Sequence, residues 1–350
     1  MTWMLTGGAG YIGGHVIDAL RGSGHEVVVL DDLSSGVASR VPETVPLVEI
    51  SVADTLGVRA AMRAHGVTGV VHLAGKKAVG ESVVDPVHYY RENVGGLQSL
   101  LEAMVAESVG QLVFSSSAAV YGMPDMDLVT ERAPTTPINP YGETKLVGEW
   151  LVRDVARATG MRAVSLRYFN VAGAGRPELG DRGVTNLVPM IFRALDEGRA
   201  PQVFGDAYPT PDGSCVRDYV HVADLADAHV VAANRLSEGS IAPVYNVGRG
   251  RGASVKEVLA VVREVTDLDV EPEITQGRPG DPARVVASAE SIERDLGWTA
   301  TRDLTDIVES AWRAWTVAHS HSAQGVKSSP AVADTAGDRS SALRRPIRDS

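Results

Sequence analysis

The stretch Gly7-Gly8-Ala9-Gly10-Tyr11-Ile12-Gly13 follows directly on the apolar run Trp3-Met4-Leu5 and opens onto a helical pattern ending near Leu20. A second apolar run, Val27–Leu30, closes on Asp31. Strand, glycine turn, helix, strand and acid, in that order, are the parts a bound dinucleotide requires. The glycines permit a tight turn and let the backbone approach a pyrophosphate, and the helix N-terminus offers unpaired N–H groups to its charge. Gly7, Gly10, Tyr11, Ile12 and Gly13 are therefore candidate cofactor-binding residues. Asp31 can accept hydrogen bonds from the adenosine ribose hydroxyls. With Asp32 beside it, it repels a 2′-phosphate, so the expected cofactor is NAD rather than NADP.

The first half alternates apolar runs with helical patterns. The runs are Trp3–Leu5, Val27–Leu30, Leu47–Ile50, Val70–Leu73, Leu112–Phe114 and Ala163–Leu166. Continuous apolar runs of this length suit parallel strands buried on both faces. Tyr90–Ser108 and Tyr141–Thr159 read as crossover helices, giving an α/β fold with a doubly wound, Rossmann-type parallel sheet. After Asn170, Gly and Pro become frequent and the elements shorter, as expected of a smaller α/β substrate-binding cap domain. Val220–Leu236 and the strand-like Val244–Val247 are expected to return to the first domain. Helices are predicted over Val255–Thr266, Ala289–Leu296 and Leu304–Trp315. The division predicted is 1–170 (with 221–247) for NAD, 171–317 for substrate, and a disordered tail over 318–350, where apolar anchors are few.

The chemistry-bearing segments are Ser115-Ser116-Ser117-Ala118-Ala119-Val120-Tyr121-Gly122 and Asn139-Pro140-Tyr141-Gly142-Glu143-Thr144-Lys145. Tyr141 and Lys145 are spaced i, i+4, which puts both on one helix face. A phenol with a pKa near ~10 is too weakly acidic to act as a base at neutral pH. A neighbouring ammonium and a cationic nicotinamide both favour the phenolate. A serine at the end of a sheet strand can complete the hydrogen bonding to a substrate hydroxyl. Tyr141, Lys145 and Ser117 are the candidate catalytic residues.

The Gly-x-x-Gly-x-x-Gly spacing resembles the short-chain dehydrogenase/reductase superfamily. Further segments make the chain resemble the UDP-glucose (UDP-galactose) 4-epimerases, in the extended group of that superfamily. They include His72–Ser82, Tyr89–Asn93, Phe114–Gly122, Asn139–Lys145, Leu166–Asn170, Thr185–Pro189, Val203–Gly205, Asp212–Asp224 and Arg278–Asp281. The resemblance implies NAD-dependent interconversion of UDP-galactose and UDP-glucose, as in galactose metabolism, through a 4-keto sugar. It makes Tyr141 the acid/base on the sugar 4-hydroxyl, Lys145 its electrostatic tuner and Ser117 its hydrogen-bonding partner. It assigns Val52, Leu73, Ala74, Gly75, Lys77 and Asn93 to the cofactor, and Tyr168 and Phe169 to the nicotinamide side. Asn170, Asn186 and Leu187 would meet the diphosphate end of the nucleotide sugar, Phe204 the uracil, Arg217 and Arg278 the diphosphate, and Asp281 the uridine ribose. Val285, the fourth residue after Asp281, would lie beside the sugar 2-position, where a small side chain leaves room for an acetamido group. A homodimer is also implied. Two positions depart from the pattern. Ser51 stands where an Asp commonly touches the adenine amine, with Asp54 the nearest substitute, and Ser35 stands where Asn is common.

Related chemistries are separated by single residues. A nucleotide-sugar dehydratase places an Asp-Glu pair after the serine, whereas Ala118 and Ala119 stand here and cannot do acid–base work. Epimerases of UDP-N-acetylglucosamine or UDP-glucuronate, and a non-catalytic NAD-binding sensor, remain alternatives. A formal net charge of -11 without a long basic run disfavours nucleic acid and anionic membranes as partners. No apolar run is long enough to span a bilayer, and no secretory leader precedes the first strand. The single cysteine, Cys215, excludes an internal disulfide and makes a cysteine-based metal site unexpected. A cytoplasmic protein without metal is the expectation.

Overall fold

The computed structural model describes residues 1–278 and 280–324. Its strands, in chain order, are β1 (Thr2–Thr6), β2 (Glu26–Leu30), β3 (Leu47–Val48), β4 (Gly69–His72), β5 (Gln111–Ser117), β6 (Arg162–Tyr168), β7 (Asn170–Ala172), β8 (Gln202–Phe204), β9 (Val216–His221), β10 (Val244–Val247), β11 (Gly252–Ser254), β12 (Glu273–Thr275) and β13 (Arg284–Val285). Seven of them form one sheet in the order β10-β6-β5-β4-β1-β2-β3, with every neighbouring pair parallel. This is the doubly wound, Rossmann-type sheet expected, and the order reverses between β1 and β4, where such sheets bind ligands.

The strand periodicity explains why both faces are covered. Trp3, Leu5, Val27, Val29, Val71 and Val113 pack with the helices Tyr11–Gly22 and Val222–Glu238. Met4, Val28, Leu30, Val70, Leu112 and Phe114 point the other way, onto the helices Thr55–Ala64, Gly96–Ala106 and Pro140–Thr159. Alternate residues of each apolar run thus enter opposite cores, which is why the runs are continuous.

The remaining strands form a smaller layer of two sheets. In it β9 is flanked by β11 and β13 and also pairs with β7, while β8 pairs with β12. A third core, with Val188, Phe192, Val258, Val262, Ile307 and Trp315, lies beneath it.

Three local expectations are corrected. The segment Tyr90–Ser108 is not one uniform helix: a π turn over Tyr90–Gly95 precedes the α-helix Gly96–Ala106. Asn93 is the buried residue of that turn. Strand β3 stops at Val48, two residues short of Ile50, because Ser51 and Asp54 build the next turn. The last helix runs over Leu304–Gln324, past Trp315 and into the segment read as a tail, because Trp315 packs on Phe192 and stacks with His319. The remainder of that segment, 325–350, lies outside the described residues.

Candidate active site

The glycine loop joins β1 to the helix Tyr11–Gly22. Gly7 has φ +71, and a Cβ there would lie 2.6 Å from the Ala74 nitrogen and 2.9 Å from the Leu73 carbonyl carbon. The loop therefore closes directly onto the segment after β4. Gly10 holds the N-cap position with no side-chain cap, and the first turn, from Tyr11 through Ile12 and Gly13, carries no acidic residue. Its N–H groups are left available for an anion. The Tyr11 hydroxyl donates to the Gly173 carbonyl at 2.6 Å, and this side chain anchors the helix to the β7 turn.

Asp31 is buried, and accepts from the backbone N–H groups of Ala9 and Leu33, each at 2.9 Å. Burial pushes its carboxyl upward, and the two N–H donors oppose that. Each carboxylate oxygen keeps a lone pair for a ribose hydroxyl. Asp31→Asn keeps one acceptor and removes the charge. The preference for NAD over NADP should narrow by about tenfold or more, a repulsion of roughly 1.4 kcal/mol sufficing. Dissociation constants for the two dinucleotides measure this, and an unchanged ratio would discard the carboxylate as the discriminator. Asp54, the expected substitute for the adenine contact, is committed elsewhere: it caps the helix Thr55–Ala64 by accepting from the Gly57 N–H at 3.0 Å. Val52 packs at this end, 2.9 Å from where a Gly96 Cβ would be.

On the far side of the glycine loop, Asn93 accepts from the Lys76 N–H at 2.7 Å and donates to the Lys76 carbonyl and the Thr144 hydroxyl, both at 3.0 Å. These bonds hold the Leu73–Gly75 segment against the helix that carries Lys145. Gly75 has φ +150, and a Cβ on it would lie 2.9 Å from Asn93 Oδ1 and 3.8 Å from Lys145 Nζ. Lys77 is exposed in the same loop.

The helix Pro140–Thr159 starts where Asn139 accepts from the Gly142 N–H at 2.9 Å, with proline in the first turn. Tyr141 thus sits in that turn, with its phenol beside Ser117 at the end of β5. Lys145 is buried, donates to the Ser115 carbonyl at 2.9 Å and lies 6.0 Å from the centre of the Tyr141 ring. Burial lowers the Lys145 ammonium to about 8. Burial also raises the Tyr141 phenol, and Ser117 opposes the rise. Without a bound dinucleotide, burial therefore leaves the Tyr141 phenol above its ordinary range. Tyr168 donates to Ser115 Oγ at 2.7 Å, and Phe169 is buried beside Val120, Leu146 and Val285.

The cap residues fall into two pairs. The Arg278 guanidinium lies 3.7 Å from the centre of the Phe204 ring. Arg217 pairs with Asp281, and Arg217 stands opposite Val285 across β9 and β13. Val285 is buried in the cluster that also contains Leu146 of the Tyr141 helix. Arg284 does not cover it: its Nε donates to the Asp127 carbonyl at 3.1 Å. Asn170 is exposed on β7. Asn186 precedes the helix Leu187–Asp196, but its side chain donates to Asp181 at 2.7 Å rather than capping. The helix that begins at Leu187 thus also has an uncapped N-terminus.

One buried network has no counterpart in the sequence reading. Glu149 takes a bidentate pair from Arg167, at 2.8 and 2.5 Å, and also accepts from the Ser116 hydroxyl. Arg167 donates to the Tyr121 hydroxyl at 2.9 Å, which donates to Asn246 at 2.7 Å. Removing one partner of such a pair costs about 3–5 kcal/mol, because the other charge stays buried. The available signal was the continuation of the Tyr141–Lys145 stripe by four residues to Glu149.

A Rossmann-type sheet whose glycine loop, carboxylate and Tyr–Lys–Ser cluster meet at one switch point defines an NAD-dependent enzyme. The chain belongs to the NAD dependent epimerase/dehydratase family, whose sequence profile matches residues 3–248. It is 47% identical over 313 residues to a UDP-glucose 4-epimerase of Azospirillum brasilense, covering 88% of this chain and 90% of that one. Among solved structures, it is similar to a UDP-glucose-4-epimerase from Stenotrophomonas maltophila with bound NAD and formylated UDP-arabinopyranose. That likeness has a TM-score of 0.87 and 41% identity, over 92% of this chain and 99% of that chain. The UDP-Glc/GlcNAc 4-epimerase from Campylobacter jejuni is similar with a TM-score of 0.80 and 35% identity, over 89% and 98% of the two chains. No helix among the described residues is long and apolar enough to cross a membrane, and none of their His, Cys, Asp and Glu side chains group as a metal site.

Proposed function

We propose that the chain is a UDP-glucose 4-epimerase, interconverting UDP-galactose and UDP-glucose. The observation that carries this is the contact of Tyr141 with Ser117, beside the buried Lys145 and a dinucleotide loop. Tyr141 takes the proton of the sugar 4-hydroxyl and returns it after the 4-keto sugar has turned over. Ser117 orients that hydroxyl, and Lys145 supports the phenolate. NAD, when bound, supplies a reversible acceptor for the hydrogen on C4, so the net redox change is zero. The loop at Gly7–Gly13, Asp31, Val52, Leu73–Gly75, Lys77, Asn93, Tyr168 and Phe169 would hold it. The uncapped first turn and the close approach at Gly7 and Gly75 suit a pyrophosphate.

The cap would hold the UDP-sugar, with residues 1–170 and 221–247 serving the cofactor and 171–317 the substrate. Arg217 and Arg278 offer planar forks suited to phosphate oxygens. Phe204 offers a flat face to uracil, Asp281 an acceptor to the ribose, and Asn170, Asn186 and Leu187 a polar floor at a helix N-terminus. Ala118 and Ala119 leave no acid–base pair for dehydration. Incubation with UDP-galactose should yield UDP-glucose, with a transient absorbance near NADH wavelengths. A protein that binds the sugar nucleotide and leaves it unchanged would instead be a sensor.

Val285 is proposed to face the sugar 2-position. Wild type should then turn over UDP-N-acetylglucosamine detectably, and Val285→Tyr should abolish that while keeping UDP-galactose turnover. The larger side chain enters a packed cluster, so a stability loss of about 1–3 kcal/mol should accompany it. No wild-type activity on the N-acetyl sugar would remove side-chain size here as the determinant.

A homodimer is also proposed. The helices Gly96–Ala106 and Pro140–Thr159 leave a groove lined by Leu101, Val105, Leu151 and Val155, with Trp150 exposed nearby. A monomeric mass in sedimentation would remove this reading. The unpaired thiol of Cys215 and a nucleotide cofactor suit a reducing, cytoplasmic setting.

A further inference from the structure

We propose that Ser116, Glu149 and Arg167 form a positioning unit that holds Tyr141 and Lys145 in register with Ser117. The inference rests on the epimerase reading above. Two successive residues of β5 are bonded to the helix Pro140–Thr159, and the next, Ser117, lies beside Tyr141. The Ser115 carbonyl accepts from Lys145 Nζ at 2.9 Å, and the Ser116 hydroxyl donates to Glu149. The first tie uses a group that the chemistry itself needs. The second does not, so it can hold the helix while Tyr141 exchanges its proton.

Glu149 is suited to that task because its own freedom is gone. Both carboxylate oxygens are held by Arg167, which stands directly opposite Ser116 in the β5–β6 register. Arg167 is in turn fixed by the Tyr121 hydroxyl and lies 4.9 Å from the centre of that ring. Ser116, Glu149, Arg167 and Tyr121 are all buried. A bidentate, dry charge pair tolerates little rotation, so a helix pinned through Glu149 presents Tyr141 and Lys145 at one angle. A reacting group misplaced by about 1 Å loses on the order of 10²-fold in rate.

Ser116→Ala tests this, because it cuts the tie to β5 and leaves the Glu149–Arg167 pair intact. Expected are a kcat for UDP-galactose lower by about tenfold or more, and a KM and content of co-purified NAD within about twofold of wild type. The rising limb of the pH profile should move to higher pH as Tyr141 loses its alignment with Ser117, with the melting temperature near that of wild type. Ser116→Thr restores the hydroxyl and should restore kcat. Wild-type kcat in Ser116→Ala would overturn the proposal. So would a loss that tracks melting temperature with an unmoved pH profile, or one that threonine fails to rescue, since either marks packing alone. Wild-type protein inactive on UDP-galactose would overturn the epimerase reading and this inference with it, whereas active wild type with unaffected Ser116→Ala would overturn this inference only.

Discussion

Tyr141→Phe is expected to lower turnover of UDP-galactose by about 10²–10⁴-fold, the range that positioned proton transfer supplies. The ring stays, so the packing of the turn that carries it stays too. Only the phenolic oxygen, beside Ser117, is lost. Folding, NAD content and UDP-sugar binding should therefore remain near wild type while kcat falls. Steady-state kinetics beside a thermal melt measure this, and near-normal turnover would remove Tyr141 from the mechanism.

The companion experiment on Lys145 reads the electrostatics. Its ammonium lies 6.0 Å from the Tyr141 ring centre, and burial lowers it to about 8. An ammonium near a phenol stabilises the phenolate, so its removal leaves the phenol harder to ionise. In Lys145→Met the fraction of Tyr141 ionised at a given pH falls. The rising limb of the pH–rate profile should move to higher pH along with a slower reaction. A slower reaction with an unmoved profile would assign Lys145 to holding the cofactor rather than tuning the base.

Much of this site is legible in the sequence because it is local. The glycine turn, Asp31, and the four-residue spacing of Tyr141 and Lys145 each lie within a single strand–helix unit. The apolar runs are continuous because parallel strands bury both faces, so β1, β2, β4, β5 and β6 could be placed from composition alone. What was missed depends on contacts between distant segments. Glu149 reads as one more charge on a helix until β6 brings Arg167 to it. Asp54 reads as a spare carboxylate near the adenine end, yet the helix start at Thr55 takes it as a cap. The π turn around the buried Asn93 leaves no mark in the hydrophobic periodicity. Spacing also reports the Lys145 cation and says nothing of the burial that raises the Tyr141 phenol in the ligand-free chain.

Gly7→Ala should have the second large effect, on both stability and cofactor retention. Gly7 has φ +71, and its Cβ would meet the backbone of Leu73 and Ala74 at 2.6–2.9 Å. The left-handed conformation alone costs an L-residue about 1–2 kcal/mol. The overlap adds about 1–3 kcal/mol, because backbone rather than a flexible side-chain tip has to move. A combined loss of roughly 2–5 kcal/mol follows from these two terms. The segment displaced, Leu73–Gly75, is the same one that Asn93 holds beside Lys145, so NAD should no longer co-purify. Gly24→Ala separates the terms. Gly24 has φ +80 with nothing within 4 Å of its Cβ position. It should lose only the conformational part, about 1–2 kcal/mol, and keep its NAD. Chemical denaturation and the absorbance of released dinucleotide measure both variants. Equal losses in the two would mean that strain, and not the closure of the loop onto β4, accounts for Gly7. Retention of NAD by Gly7→Ala would mean that the close approach of loop and β4 segment is not what forms the pyrophosphate site.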